Sequence, residues 1–357
     1  MYEFLSASAQ AAFANLASAA FQAASQRSVA DAPGGFAKKT IGQQVYWYHQ
    51  VKLADGRLQQ TYIGKSSNEI DQLIAQHSDP VAASARVHMK RLCAAAIALG
   101  CREIPAKHAM VIDRLIDFGF FRAGGILVGT HCFMAYENMF GVRWLAGAQT
   151  LDLDFAHPGK NVSLALPCEP IQADTRGAID SLRMGFAPNG AQTTYRNPNE
   201  PDFDLDFLTS VGRGGEEPVY AKSLNVTLQP LKFLEFSMEQ TTQAVLLARR
   251  GPLVVTIPAP ERYAVHKLLV HGERPEKQRT KANKDLAQAA SLIAYLLEHD
   301  PEALRDAWRD LNDRGPGWRR RAGEGLAALM AAHPSIDVAP MLDVPQLGRR
   351  AHRARRG

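Results

Sequence analysis

Two five-residue segments of the chain share one pattern, Leu151-Asp152-Leu153-Asp154-Phe155 and Phe203-Asp204-Leu205-Asp206-Phe207. Strict alternation of apolar and acidic residues predicts strands, each with its apolar side chains in a core and its two aspartates on the other face. The Cα atoms of one aspartate pair then lie only ~7 Å apart. Aspartate is disfavoured in strands and neighbouring like charges repel, so two such strands call for something to hold their charge. A cation among the carboxylates does this. Hard oxygen donors select Mg²⁺, Mn²⁺ or Ca²⁺ over zinc. Two metals ~3.5–4 Å apart, bridged by such groups, stabilise both the entering and the leaving oxygen of phosphoryl transfer.

Upstream, Val128-Gly129-Thr130 joins a short apolar run, GGILVGT at 124–130, to a helical segment, HCFMAYENMFG, that Gly141 ends. A glycine at such a turn lets backbone approach a ligand, and the free N–H groups of a helix start hold phosphate. A tight turn with an N-cap is the plainer role for Gly-Thr. Other polar residues point to no second chemistry. His131 reads as a structural or peripheral histidine, and Cys132 and Cys168 as buried thiols. The four cysteines, with Cys93 and Cys101, show no CxxC pairing. Ser163 and Ser181 lack the GxSxG setting of a serine hydrolase. GxGxxG and GxxxxGK[ST] are both missing, which argues against a Rossmann dinucleotide site and a P-loop.

The elements that must position these residues follow from periodicity. Residues from about Leu5 to Ser25, rich in alanine with Phe13, Leu16 and Phe21, predict a helix. VYWYHQVKL and RLQQTYIG flank Ala54-Asp55-Gly56 and predict a β-hairpin. Its Tyr46, Tyr48 and Tyr62 could stack on bases, with packing within the sheet as the plainer role. Ser66 with Glu69 predicts a capping box, and helices follow at about 80–99 and 106–118. TLDLDFA (150–156) and FDLDFLT (203–209) are expected strands with a short helix near 176–184 between them. More strands are expected at 222–228, 231–236, 244–249 and 253–258, the last two joined across Arg250-Gly251-Pro252. Beyond Pro258 and Pro260 the pattern turns helical, most clearly at 261–272 and 276–299. There Leu286, Ala290, Ile293 and Leu297 form an apolar stripe, while Lys277, Lys281 and Lys284 fall near the opposite face, usually a solvated one. Mixed helices and strands of this kind predict an α+β or α/β sheet domain.

Together, the Gly-Thr turn at a helix start, the hydrophobic-Asp-hydrophobic-Asp strand and a third acidic residue on a nearby strand resemble the nucleotidyltransferase fold of the polymerase-beta superfamily. More narrowly, GGILVGTHCFMAY, TLDLDFA, DFLT, and IPAPERYAVHKLLV followed by EKQRTKANKDLAQA are similar to a bacterial family of predicted nucleotidyltransferases. The hairpin ending in TYIG is similar to that family's N-terminal part, so the resemblance spans roughly 40–300. It implies an α+β fold with a mixed-sheet nucleotidyltransferase core, expected at 106–258. Around it the pattern of elements predicts an N-terminal helix and hairpin region at 1–105 and a helical C-terminal domain at 259–345, and charge marks a basic tail at 346–357, outside the resemblance.

Position by position, Gly129 and Thr130 match the family's phosphate-side turn, Asp152 and Asp154 its metal-binding pair, and Asp206 its third carboxylate, with Asp204 a neighbour of less defined purpose. Lys267, Lys281 and Lys284 match recurrent lysines that would neutralise a nucleoside triphosphate facing the aspartates. Solubility and helix pairing, such as Lys281 with Asp285 at i, i+4, is their structural alternative. Arg122 and Arg143 are weaker candidates of the same kind. Two departures from the pattern are Thr130, where Ser or Gly is commoner, and the interval from Gly129 to Asp152, longer than in minimal members. The implied reaction moves a nucleoside monophosphate from an NTP such as ATP, with Mg²⁺ (or Mn²⁺), to an RNA, protein or small-molecule acceptor, releasing pyrophosphate. The alternatives are a non-catalytic nucleic-acid-binding or regulatory protein on the same fold, and a DxD glycosyltransferase, which needs no second aspartate strand beside Asp152 and Asp154.

Composition sets the outer bounds. The 357 residues, 46% hydrophobic and 22% charged, fit a globular chain of two or three domains and exclude disordered, collagenous and rod-like ones. No stretch approaches the ~20 apolar residues of a membrane span, and MYEFLSASAQ lacks the basic start of a secretory signal, so a cytoplasmic protein is expected. The net charge of +5 equals the contribution of Arg349, Arg350, Arg353, Arg355 and Arg356. A frayed, solvated tail is the plain reading of these arginines, and an electrostatic tether for nucleic acid the sharper one.

Overall fold

A computed structural model describes residues 1–25, 35–52, 58–77, 80–158, 173–212, 215–274 and 279–342. The expected turn at Ala54-Asp55-Gly56, Ser163, Cys168, Lys277 and the arginine tail lie outside these residues. The chain opens with β1 (Tyr2–Phe4) and α1 (Ala7–Ser25), then β2 (Gly35–Ile41), β3 (Gln44–Lys52) and β4 (Leu58–Lys65). Three helices follow, α2 (Asn68–His77), α3 (Pro80–Ala98) and α4 (Ala106–Asp117). Next come β5 (Ile126–Val128), α5 (Thr130–Phe140), β6 (Val142–Trp144), β7 (Leu153–Ala156) and α6 (Thr175–Leu182). The strands β8 (Ala187–Pro188), β9 (Thr194–Asn197), β10 (Glu200–Ser210), β11 (Val219–Ala221) and β12 (Val226–Leu231) lead to α7 (Leu234–Met238) and the hairpin of β13 (Thr241–Ala248) and β14 (Gly251–Pro258). The described chain closes with α8 (Pro260–Glu273), α9 (Arg279–His299), α10 (Pro301–Asp313) and α11 (Pro316–Ala332).

The central sheet runs β11-β12-β10-β7-β5, with β9 and β8 continuing from β10. It is mixed: β10 is parallel to both β7 and β12, whereas β5 and β9 are antiparallel to their neighbours. The expected α+β class with a mixed sheet, an N-terminal helix and hairpin, and C-terminal helices is what the molecule has. The apolar halves of the two alternating segments supply its core. Leu153, Phe155, Leu205 and Phe207 are fully buried, and Phe155 stacks on Phe207 with ring centroids 5.4 Å apart. The enlarged interval after Gly129 holds α5 and β6, and β6 pairs with β1 so that Trp144 stands opposite Tyr2. Small residues let α1 dock closely: Ala9, Leu16 and Ala20 bury against Ala96 of α3 and Val245 and Leu247 of β13.

Several local expectations change. Segment 150–156 is a strand only from Leu153; Leu151 is 61% exposed, so the first aspartate sits on the connection into the strand. Residues 231–236 form the end of β12 and a helix, because Leu234 and Met238, four apart, and Phe236 all bury on helical spacing. The cap of α2 is Ser67, whose hydroxyl accepts the Ile70 N–H at 3.3 Å, while Ser66 donates to Asp71. Gly251 pairs with Ala248, so Arg249-Arg250 make the hairpin turn. Segment 222–228 divides around Asn225, which has φ 50°. Strands β1, β2, β6, β8 and β9 escape periodicity: four are two to four residues long, and β2 is polar in its second half.

Helices α8 and α11 meet at glycines. A Cβ on Gly325 would overlap the Leu268 carbonyl, and one on Gly272 the Arg321 carbonyl. Backbone gives way far less readily than a side chain, so Gly325→Ala is expected to lower stability by ~1–3 kcal/mol through overpacking. Urea denaturation measures this; an unchanged midpoint would show that the helix pair is looser than described.

Candidate active site

Asp154 and Asp206 are register partners on the parallel strands β7 and β10, so their Cα atoms are one inter-strand spacing, ~4.8 Å, apart. Their carboxylates share the face opposite Phe155 and Phe207. Val128 pairs with Asp154 from β5, which brings the following residue, Gly129, over that carboxylate. Gly129 has φ 69° and ψ −153°, and a Cβ there would overlap Asp154 Oδ2. Conformation and space therefore both require glycine. The α5 start has no side-chain cap, which leaves its first N–H groups without that partner.

The charges of this site act on one another. Asp154 is pushed up to about 6, first by burial and then by the Asp206 charge, with Asp152 adding to the effect and Lys267 and Lys284 opposing it. Asp206 is raised by burial and by Asp152 and Asp204, against a 2.6 Å hydrogen bond donated by the Thr194 hydroxyl and the attraction of Lys281. Lys284 is lowered by burial and by Lys267, and is attracted by Asp154, Asp285 and Asp152. The three aspartates and three lysines singled out from sequence thus lie within electrostatic reach of one cluster. Asp204 Oδ2 accepts from Arg196 at 3.0 Å, while its Oδ1 is buried without a hydrogen-bond partner.

The turn is braced from the C-terminal helices, by residues that sequence reading did not single out. The Tyr263 hydroxyl lies 2.9 Å from both the Gly129 carbonyl and Gln288 Oε1. Gln288 Nε2 donates to Thr130 Oγ1 and to the Gly147 carbonyl. The Thr130 side chain is accordingly buried against α9. Lys267 is held by Asp285 at 2.6 Å, and Arg274 binds the second oxygen of the same carboxylate at 2.5 Å. Asp285 therefore serves Lys267 and Arg274, and the pairing with Lys281 expected at i, i+4 is replaced. A usable signal existed in α9, where Lys281, Lys284, Asp285 and Gln288 recur at helical spacing.

Beside the carboxylates, Lys284 also forms part of the wall of a cleft of about 540 Å³ lined by Arg102, Trp144, Leu145, Gly147 and Asn283. Among the described residues no group of three His, Cys, Asp or Glu side chains meets the geometry of a metal site. The donor chemistry still fits a hard divalent cation: the acidic groups are all carboxylates, Asp154 and Asp206 are half-buried side by side, and the Asp206 charge raises Asp154 while that of Asp152 raises both. The remaining candidates lie elsewhere. His131 is buried and paired with His108 at 2.9 Å; burial pushes His131 down to about 3 and His108 to about 4. Cys132 is buried with its thiol on the Leu127 carbonyl. Arg122 is exposed, and Arg143 binds the Gly100 carbonyl and lies 3.8 Å from Glu137.

A family model described as nucleotidyltransferase matches residues 106–313, from the first residue of α4 to the last of α10. Among solved structures, an antigenic nucleotidyltransferase-like protein from Paracoccidioides brasiliensis is similar at a TM-score of 0.29 and 13% identity, over 61% of this chain and 94% of that one. The comparison with curated proteins yields no match. No helix among the described residues is long and apolar enough to cross a membrane.

The raised Asp154 has a definite consequence for stability in metal-free protein. A folded-state value of about 6 against 3.8 for an ordinary aspartate means that the folded form binds this proton more tightly. The associated stability is present below pH ~4 and lost as pH rises through 6. Asp154→Asn removes the ionisation, so its advantage over wild type is expected to grow between pH 4 and 6 and level off above, at ~1–3 kcal/mol. Urea titrations in chelator across that range test it; a variant advantage that is flat with pH contradicts the buried-carboxylate reading.

Proposed function

Because this chain belongs to the nucleotidyltransferase family, we propose that it transfers a nucleoside monophosphate from an NTP to an acceptor hydroxyl and releases pyrophosphate. The observation that carries this reading is the register of Asp206 beside Asp154, with Asp152 close enough to raise both and Gly129 lying over Asp154. Asp152, Asp154 and Asp206 would hold Mg²⁺ or Mn²⁺, which when bound supplies positive charge to the triphosphate and to the oxygens that exchange at phosphorus.

The chain's own residues have separable roles in this scheme. The backbone N–H groups at the start of α5 receive phosphate oxygens where the helix dipole favours negative charge. Lys281 and Lys284 offset the triphosphate charge, and Lys267, oriented by Asp285, adds to the positive field behind Asp154. Asp206 takes the proton of the acceptor hydroxyl as its oxygen bonds to the α-phosphorus. The bond from that phosphorus to the bridging oxygen breaks, and the electron pair leaves with pyrophosphate. Positioning and electrostatics provide most of the acceleration. A glycosyltransferase that relies on one DxD pair has no use for a third carboxylate aligned with the second, so the same register favours nucleotidyl transfer over that alternative.

Incubation with each α-³²P-labelled NTP, Mg²⁺ or Mn²⁺ and a cell extract, followed by separation of RNA, protein and small molecules, reads the transfer and its acceptor class. Asp206→Asn is expected to reduce labelling ~100-fold or more while retaining the fold. Asp204→Asn, whose residue is engaged by Arg196, should keep most activity. Absence of labelled product with every NTP, or an Asp206→Asn protein as active as wild type, defeats the proposal. In thermal shift, NTP with metal is expected to stabilise wild type and to lose much of that effect in Asp152→Ala.

A further inference from the structure

The small sheet β2-β3-β4 has two unlike faces. One is occupied by α2: the Trp47 indole N–H donates to Asp71 at 2.5 Å, and Gly64 leaves room for Ile70, whose Cδ1 lies 2.7 Å from where a Cβ would stand. The other face carries three tyrosines. Tyr62 stands opposite Tyr48, and an irregularity between Trp47 and Tyr48 passes over Ile63, so that Tyr46 and Lys65 pair on the same side. The Tyr62 ring lies 5.6 Å from Tyr48 and 6.2 Å from Tyr46. Lys39 stands opposite Tyr46 from β2, with its ammonium 4.7 Å from the Tyr48 ring centre. Tyr62 is 55% exposed, and Lys39 and Lys65 are exposed beside it. The plainer expectation, that these tyrosines serve packing within the sheet, accounts for their contacts with one another but not for an open aromatic face.

We propose that this tyrosine-lysine face binds single-stranded nucleic acid. Lys39 and Lys65 on this face, in three strands that carry no aspartate or glutamate, complement a phosphate backbone. Exposed aromatic rings beside those lysines offer what unpaired bases seek, since every base has a π-face to stack and duplex bases do not present theirs. Lys39 over Tyr48 places the cation at the edge of the platform, where a phosphate linked to a stacked base would pass. RNA and single-stranded DNA share this chemistry. The inference stands apart from the transfer reaction, because it uses none of the carboxylates.

Fluorescence anisotropy on the full chain tests it, with labelled twelve-nucleotide oligo(U) and oligo(dT), a duplex of equal length, and poly-glutamate as a competitor. Single strands are expected to bind more tightly than duplex, with affinity falling as salt rises, and the tighter of the two identifies the preferred sugar. Tyr62→Ala should weaken binding about tenfold, whereas Tyr62→Phe, which keeps the ring, should bind as wild type. The double change Lys39→Gln, Lys65→Gln should flatten the salt dependence. Circular dichroism melts establish that each variant is folded, and Tyr62→Phe guards against a structural loss at that position. Lack of binding at low salt, tighter binding of duplex, or equal displacement by poly-glutamate overturns the proposal. So does a folded Tyr62→Ala protein with unchanged affinity.

Discussion

Two carboxylates in register on adjacent parallel strands repel each other, and their partial burial removes some of the water that would screen the repulsion. Asp154 and Asp206 are held in that position by the rest of the sheet: the same strands place Phe155 against Phe207 on the opposite face. Strand alternation gives no way to separate the acids without also exposing the aromatics. The surroundings read as a response to this constraint. Gly129 yields the space a Cβ would take, Thr194 donates to Asp206, and Lys267 and Lys284 bring positive charge toward Asp154. Crowded acids of this kind are raised above the ordinary aspartate range, as Asp154 is, and a nearby positive charge offsets part of the effect.

Positive charge near buried acids is useful only if it stays where it is. Lys267 has a flexible stem, yet it is mostly buried and tied to Asp285, which Arg274 also grips. One carboxylate between two cations leaves a net positive group behind Asp154. The turn over that acid is fixed with comparable economy. Gln288, fully buried, bonds the Thr130 hydroxyl and the Gly147 carbonyl, while Tyr263 reaches both Gln288 and the Gly129 carbonyl. Gly147 lines the neighbouring cleft. A single amide on α9 therefore joins the Gly129-Thr130 turn to the cleft wall, and the C-terminal helices belong to the geometry of the candidate site.

Alternation made the two acidic strands legible because period two is strict over five residues and is broken by nothing. The Gly129 turn and the Gly141 stop were legible because glycine has few reasons to stand at those positions. Leu151 misled: it continues the alternation, but the chain enters the sheet only at Leu153, and local pattern carries no information about where a partner strand begins. Short strands such as β1 and β6 exist because they find each other across the chain, with Tyr2 against Trp144, and nothing local encodes such a pairing. The helix at Leu234–Met238 was hidden in a run whose apolar residues fit both periods. Ser66 and Ser67 are adjacent hydroxyls, and which one caps α2 depends on the attraction of Asp71 for the other.

The lysines of α9 mark a different kind of limit. Charged residues opposite an apolar stripe usually meet water, so their face is expected to be solvated. A helix lodged against several elements has no simple opposite face. Lys281, Lys284, Asp285 and Gln288 fall at intervals of three, four and seven, so they form a second stripe beside the apolar one. Burial along it is graded, from exposed Lys281 through half-buried Lys284 to Asp285 at 3% and Gln288 at 0% exposure. The gradient runs from solvent toward Thr130, and the role of each residue changes along it. Lys281 is an exposed cation whose charge reaches Asp206, and Lys284 a half-buried one whose charge reaches Asp152 and Asp154. Asp285 is a buried acid that holds Lys267, and Gln288 a neutral amide that fixes the turn. An acid or amide falling in phase with lysines on a helix that is otherwise apolar has no need to be there for solubility. That phase relation is a signal, readable from residue spacing alone, for a polar stripe directed inward.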